Sequence, residues 1–146
     1  MPNYGTGVIA TPAAAAGAAY ATFHTLGTRR ARIYKIIVTA TQTITSQVGI
    51  IRSSNTPVAS TSVTPQPYDA ADAPATALLD TAWSTPPTVG TNFLETFTLG
   101  PSIGAGITDV WQSDKEITLA VSTWLVFWNP GASAGAILSL TIQYDE

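Results

Sequence analysis

The stretch Ile137-Leu138-Ser139-Leu140-Thr141-Ile142-Gln143-Tyr144 alternates apolar and polar residues without a break. Successive side chains of an extended chain point to opposite faces, so Leu138, Leu140, Ile142 and Tyr144 line a core while Ser139, Thr141 and Gln143 face outward. A period of two selects a β-strand over a helix. Immediately upstream, Trp124-Leu125-Val126-Phe127-Trp128 is apolar on both faces, which marks a strand covered on both sides. The intervening Asn129-Pro130-Gly131-Ala132-Ser133 has turn composition, and an antiparallel hairpin of these two strands is expected.

The same signals recur toward the N-terminus. Arg32 to Thr39 is dense in β-branched and aromatic residues, and Ser46 to Ser53 reads as a second strand joined to it through a polar hairpin connection, Thr39 to Thr45. Asn92 to Leu99 alternates until Gly100-Pro101 stops it. Short strands are expected over Ile107 to Ser113 and Ile117 to Val121, with a bulge or change of partner near Thr123. Residues 1–17 read as an arm or turn, followed by a strand from about Ala18 to Leu26. Residues 55–91 read as one long Pro-rich loop, anchored by Leu78, Leu79 and Trp83. The fold expected is therefore all-β: a single antiparallel β-sandwich over residues 18–146, jelly-roll-like, carrying that loop.

Composition narrows what such a domain does. Only 10% of the 146 residues are charged, far below the usual quarter, and Ala, Thr, Ser, Gly and Pro take their place. A surface of small hydroxyls and methyls loses little side-chain entropy when a partner covers it. The formal charge of -3 argues against nucleic acid, and the one basic cluster is split by strand geometry, with Arg30 and Arg32 on one face and Arg29 and Lys35 on the other. No apolar run reaches the ~20 residues of a membrane span, and no signal-peptide pattern opens the chain. Absent cysteines exclude disulfides and thiolate chemistry.

No cofactor or metal site is expected. The single histidine, His24, has no acid or nucleophile near it in sequence and reads as a packing residue. Asp69 and Asp72 are spaced for a cation but lack the further oxygen ligands of a calcium loop, and they read as turn residues. Trp124 and Trp128 share a strand face that suits either core packing or a stacking platform for sugars, with Trp83 and Trp111 as further candidates for the latter. Loop position singles out Asn3, Tyr4, Pro12, Pro65, Gln66, Pro67, Tyr68 and Trp83 as protein-contact residues.

Three stretches carry a resemblance: RRARIYKIIV at Arg29 to Val38, TPQPYDAADAPA at Thr64 to Ala75, and LVFWNPGASAGAILSLTIQYDE at Leu125 to Glu146. In order and spacing they resemble small tailed-phage virion proteins of β-sandwich fold, most of all head decoration or cement proteins. The resemblance implies a non-enzymatic virion protein on the phage head surface, assembled in the host cytoplasm. It implies a homo-oligomer, with a trimer favoured, that contacts the major capsid protein. A tail, neck or fibre-base protein of the same sandwich type fits equally, and a carbohydrate-binding module is the alternative of another class. If residues 1–12 form a contact arm, deleting them weakens assembly more than folding, whereas equal losses place them in the core.

Overall fold

The computed structural model describes residues 1–146. Apolar alternation is spent on twelve strands: β1 (Asn3–Val8), β2 (Ala19–Thr25), β3 (Ala31–Ala40), β4 (Ser46–Arg52), β5 (Val58–Val63), β6 (Gln66–Pro67), β7 (Ala77–Thr85), β8 (Glu95–Leu99), β9 (Gly106–Val110), β10 (Ile117–Leu119), β11 (Trp124–Trp128) and β12 (Leu138–Asp145). They form two antiparallel six-stranded sheets packed face to face, a β-sandwich. The first sheet has the order β10-β3-β12-β1-β6, with β9 beside β10 on the same edge of β3; the second has the order β5-β7-β2-β11-β4-β8.

The strand at Ile137 to Tyr144 is realised as read. Leu138, Leu140, Ile142 and Tyr144 are buried at 2% exposure or less, because β12 lies in the middle of the first sheet between β3 and β1. β11 is likewise central in its sheet, between β2 and β4, and both of its faces are covered. The change of partner expected near Thr123 also occurs: β10 pairs in the first sheet and β11 in the second, across a turn where Ser122 takes φ 56°.

The hairpins are not realised. None of the ten ladders joins strands consecutive in the chain. β11 and β12 lie in opposite sheets, as do β3 and β4, so each supposed hairpin connection is an arch between layers. Asn129 shows why turn composition misleads here. Its side chain is buried, with Nδ2 donating toward the carbonyls of Ala14 (3.0 Å), Ala15 (3.2 Å) and Ser133 (2.8 Å) while Oδ1 accepts the Gly131 N–H. The residue clamps the arch onto the crossing between β1 and β2.

Two further expectations change. Residues 1–17 are not a free arm: β1 is inserted between β12 and β6, and Tyr4 is fully buried. Residues 55–91 are not a single loop, since they contain β5, β6 and β7. The prolines punctuate these strands. Pro57 precedes β5, Pro65 separates β5 from β6, and Pro86-Pro87 follow β7, while Pro67 sits in an edge strand where a missing N–H costs no ladder bond.

One core of 24 buried residues fills the space between the sheets. Aromatic contacts tie the layers: Tyr4 stacks on Tyr144 with centroids 5.5 Å apart, and Phe23 of the opposite sheet meets Tyr144 edge-on at 4.8 Å. Each such pair contributes about 0.5–1.5 kcal/mol beyond its buried area. Tyr20 enters the same core and donates its hydroxyl to the Gln47 carbonyl at 3.1 Å, passing directly over Gly135. A methyl at Gly135 would stand on that hydroxyl. Gly135→Ala is therefore expected to cost about 1–3 kcal/mol in urea melts, and the double change with Tyr20→Phe should recover part of it.

The end of β12 is fastened by Glu146. The buried Glu146 carboxylate accepts the Thr76 N–H (2.5 Å), the Thr76 hydroxyl (3.1 Å) and the Ala77 N–H (3.2 Å), holding the start of β7 against the end of β12.

Candidate functional site

The residues that loop position singles out do not stay together. Tyr4 and Pro65 are buried and offer no contact surface. Pro12 is exposed on the crossing between the sheets, and Trp83 is half-buried with its Nε1 donating to the Thr22 hydroxyl at 3.0 Å. Asn3, Gln66, Pro67 and Tyr68 do converge. β6 pairs with β1 through Tyr4 opposite Pro67 and Gly5 opposite Gln66, and the Tyr68 N–H donates to the Asn3 carbonyl at 2.9 Å.

This pairing makes a ledge at one edge of the first sheet. Tyr68 is 60% exposed and lies across Gly5, where a Cβ would stand 2.8 Å from the phenolic oxygen. Only glycine lets the ring rest on the strand. An open hollow of about 540 Å³ lies beside it, lined by Met1, Pro2, Asn3, Tyr68, Asp69 and Asp72. The two acids are turn residues as read: Asp69 Oδ1 accepts the Ala71 N–H at 2.9 Å and its carbonyl accepts the Asp72 N–H at 3.0 Å. The ledge is thus an aromatic platform with an acidic rim.

A second polar cluster sits on the outer face of the second sheet. Ladder register places Ser62, Asp80 and Thr22 side by side across β5, β7 and β2. Asp80, with no exposed surface, accepts hydrogen bonds from Thr22 (2.9 Å, to Oδ2) and Ser62 (2.6 Å, to Oδ1). His24 Nδ1 approaches Asp80 Oδ2 to 2.8 Å at an angle short of a linear hydrogen bond. Burial pushes the Asp80 carboxyl up, but the His24 imidazole and the Ser62 and Thr22 hydroxyls outweigh it and hold the group below its ordinary value.

Ser, His and Asp meet here, yet not in the order nucleophilic catalysis uses. The Ser62 hydroxyl is spent on Asp80 rather than on the imidazole, so His24 is not placed to take its proton. His24 instead stacks on Trp124, with centroids 5.1 Å apart and planes 22° from parallel. Sequence spacing hid this cluster because His24 and Asp80 lie on different strands. The available signal was a carboxylate directly after the apolar run Ala77-Leu78-Leu79.

Beyond the cluster, the outer face of the second sheet carries a small core of its own. Ala19, Ile51 and Val126 are covered by Trp83, Val89, Phe93 and Trp128. Phe93 lies on the bare backbone of Gly49. Trp128 thus serves packing. All four tryptophans are half-buried, so none is removed from contact with solvent. No protein-family model matches the chain, and neither the curated proteins nor the solved structures compared with it give a match.

Proposed function

We propose that this is a non-enzymatic virion structural protein, a decoration or cement protein that oligomerises on a phage head and stabilises it through the major capsid protein. The observation that carries the reading is the ledge, which gathers exposed Asn3, Gln66 and Tyr68 with Pro67 on a rigid sheet edge. Exposed tyrosine on a fixed backbone is a strong contact residue, because it offers large area for little conformational entropy. The low charge suits broad, repeated contacts.

The sheet edges support the same reading. β5 carries three register irregularities and β6 is two residues long with a proline. Glu95 of β8 and Asp109 of β9 pair with Ile50 and Ile36, whose side chains are buried, so both acids lean inward at their edges. Bulges, proline, shortness and inward charges all discourage open-ended strand pairing. A protein present in many copies on one particle needs that protection, and its contacts then fall to the ledge. The jelly-roll-like description belongs to this proposal too, since ladders that join only sequence-distant strands fit a rolled-up antiparallel ribbon.

The test is assembly of the purified chain. It should form a defined oligomer, with a trimer favoured, and bind capsids. Tyr68→Ala combined with Gln66→Ala should weaken that association by about tenfold or more. Thermal melting should be unchanged, given that both side chains are exposed. Unaltered association in the double variant, or a monomer that ignores capsids, removes the reading.

A further inference from the structure

We propose that copies of this chain meet through one end of the sandwich, an uncharged end with three exposed isoleucines, which leaves the ledge free for the capsid. The inference rests on the assembly reading for its oligomer. Ladder register identifies the end. Val8 stands opposite Leu140, Leu138 opposite Ala40 and Thr39 opposite Gly106 in the first sheet, while Ala19 stands opposite Trp128 and Ser46 opposite Leu99 in the second. The connections that close this end are residues 9–17, 41–45, 100–105 and 129–136. Asn3 and Tyr68 of the ledge lie at the other end of β1, ~20 Å away at ~3.3 Å per residue.

The two most exposed large apolar side chains of the protein, Ile9 (88%) and Ile103 (71%), belong to this end, with Ile44 (44%) on a third connection. Neighbouring strands lie ~4.8 Å apart, so the connections that carry them, at β1, β9 and β3, fall within ~15 Å of one another. Clustered in this way they form a patch rather than scattered exposure. Hydrogen bonds fix the connections in place. The Gly104 N–H donates to the Ala40 carbonyl (2.9 Å), the Ala40 N–H to the Ala105 carbonyl (2.7 Å), the Thr41 N–H to the Ile137 carbonyl (3.0 Å) and the Thr11 N–H to the Leu138 carbonyl (2.7 Å). The Ser46 hydroxyl donates to the Ile44 carbonyl (3.1 Å) and accepts the Ala136 N–H (2.7 Å). A patch held this firmly loses little entropy when it is covered.

Charge points to a second copy as the occupant. None of the four connections contains Asp, Glu, Lys or Arg. The nearest charges along the strands, Asp109 and Glu95, stand three and four residues in from Gly106 and Leu99. The whole net charge of -3 is therefore carried elsewhere, and two copies repel each other least when these ends face. A bilayer is a poorer match, because surface sites on anionic lipid add Lys or Arg to their apolar side chains and this end has neither. Isoleucines among Thr, Ser and Gln, without charge, instead reproduce the apolar centre and polar rim of a protein contact. An end five strands wide and two sheets deep offers roughly 500 Å² per copy, so a pair buries about 1,000 Å², the lower limit for a specific interface. The association is accordingly reversible and depends on concentration.

The experiment is sedimentation equilibrium of the full chain over a range of concentrations, at ~50 mM and ~500 mM salt. The chain should self-associate, and high salt should not weaken it, because no charge lies in the contact. Ile9→Ser combined with Ile103→Ser should weaken self-association by about tenfold or more, and Ile103→Asp alone, which brings like charges together, should do the same. Both positions are exposed, and thermal melting establishes that the variants are folded. Tyr68→Ala combined with Gln66→Ala should associate as the parent does. The inference is overturned if the isoleucine variants associate like the parent, or if high salt weakens association tenfold. A monomeric parent overturns it too, in favour of a lipid surface if phosphatidylcholine vesicles carry the protein down. A monomer that binds capsids removes this contact alone, whereas copies that associate through this end and ignore capsids remove the capsid role alone.

Discussion

Deleting residues 1–12 is expected to unfold the protein rather than trim an arm from it. The deletion removes all of β1, which pairs with β12 over Asn3 to Val8, and takes the fully buried Tyr4 from its stack on Tyr144. Loss of one buried aromatic alone costs about 3–5 kcal/mol. Removing the segment also exposes the flank of β12 and leaves the Leu138 backbone without Thr11, whose N–H donates to the Leu138 carbonyl at 2.7 Å and whose hydroxyl accepts the Leu138 N–H at 3.1 Å. Against a typical total of ~5–15 kcal/mol, this sum leaves little folded protein. Soluble yield and a urea melt of the truncated chain check the point. Asn3→Ala is the control, because its side chain is exposed and stability should move by no more than about 0.5 kcal/mol. A truncated chain that melts like the full one while failing to assemble would restore the arm.

The second large effect is expected at Asp80. Asp80→Ala strands the Thr22 and Ser62 hydroxyls and leaves His24 without its partner, and breaking such a buried group costs about 3–5 kcal/mol. Asp80→Asn keeps the shape and loses less. The pH dependence has a definite sign. The carboxyl is held below its ordinary value in the folded state, so its contribution is complete above the unfolded value near pH ~4 and is lost as pH falls through the folded value. Urea melts at pH 7 and pH 3 should therefore show a larger loss for the parent than for Asp80→Asn. Equal losses would move the acid sensitivity to another carboxylate. Because His24 stacks on Trp124, Asp80→Asn should also loosen the indole, which the Trp124 indole N–H signal reports by NMR.

Much of the fold was legible because strand residues reveal their own alternation. Leu138 to Tyr144, Ser46 to Arg52 and Ala19 to Thr25 all lie where the pattern puts them. Less of the site was legible. Four of the eight contact residues chosen by loop position, Asn3, Gln66, Pro67 and Tyr68, meet on the ledge, while Tyr4 and Pro65 are buried and Pro12 and Trp83 lie elsewhere. Tyr4 was misplaced because β1 alternates Tyr4, Thr6 and Val8 with the glycines Gly5 and Gly7, a pattern with too few apolar residues to declare a strand. The His24 and Asp80 pair was invisible for a different reason: 56 positions separate the two residues, and only the register of β2 on β7, which sets Thr22 opposite Asp80 with His24 two residues along on the same face, brings them together.

By itself the sequence determined the class of this protein: β-strands from the period of two, a weakly charged surface from composition, and no thiol chemistry from the absence of cysteine. Alternation is a local property, written in side chains that all sit on one strand. The tertiary structure alone decided which strand lies beside which, and so where the ledge and the buried pair are. Pairing depends on contacts between distant segments, and an arch between two sheets uses the same Asn, Pro and Gly residues as a hairpin within one. Composition of the turn could not tell them apart. What tells them apart is which arrangement buries Tyr4, Phe23 and Tyr144 in one core.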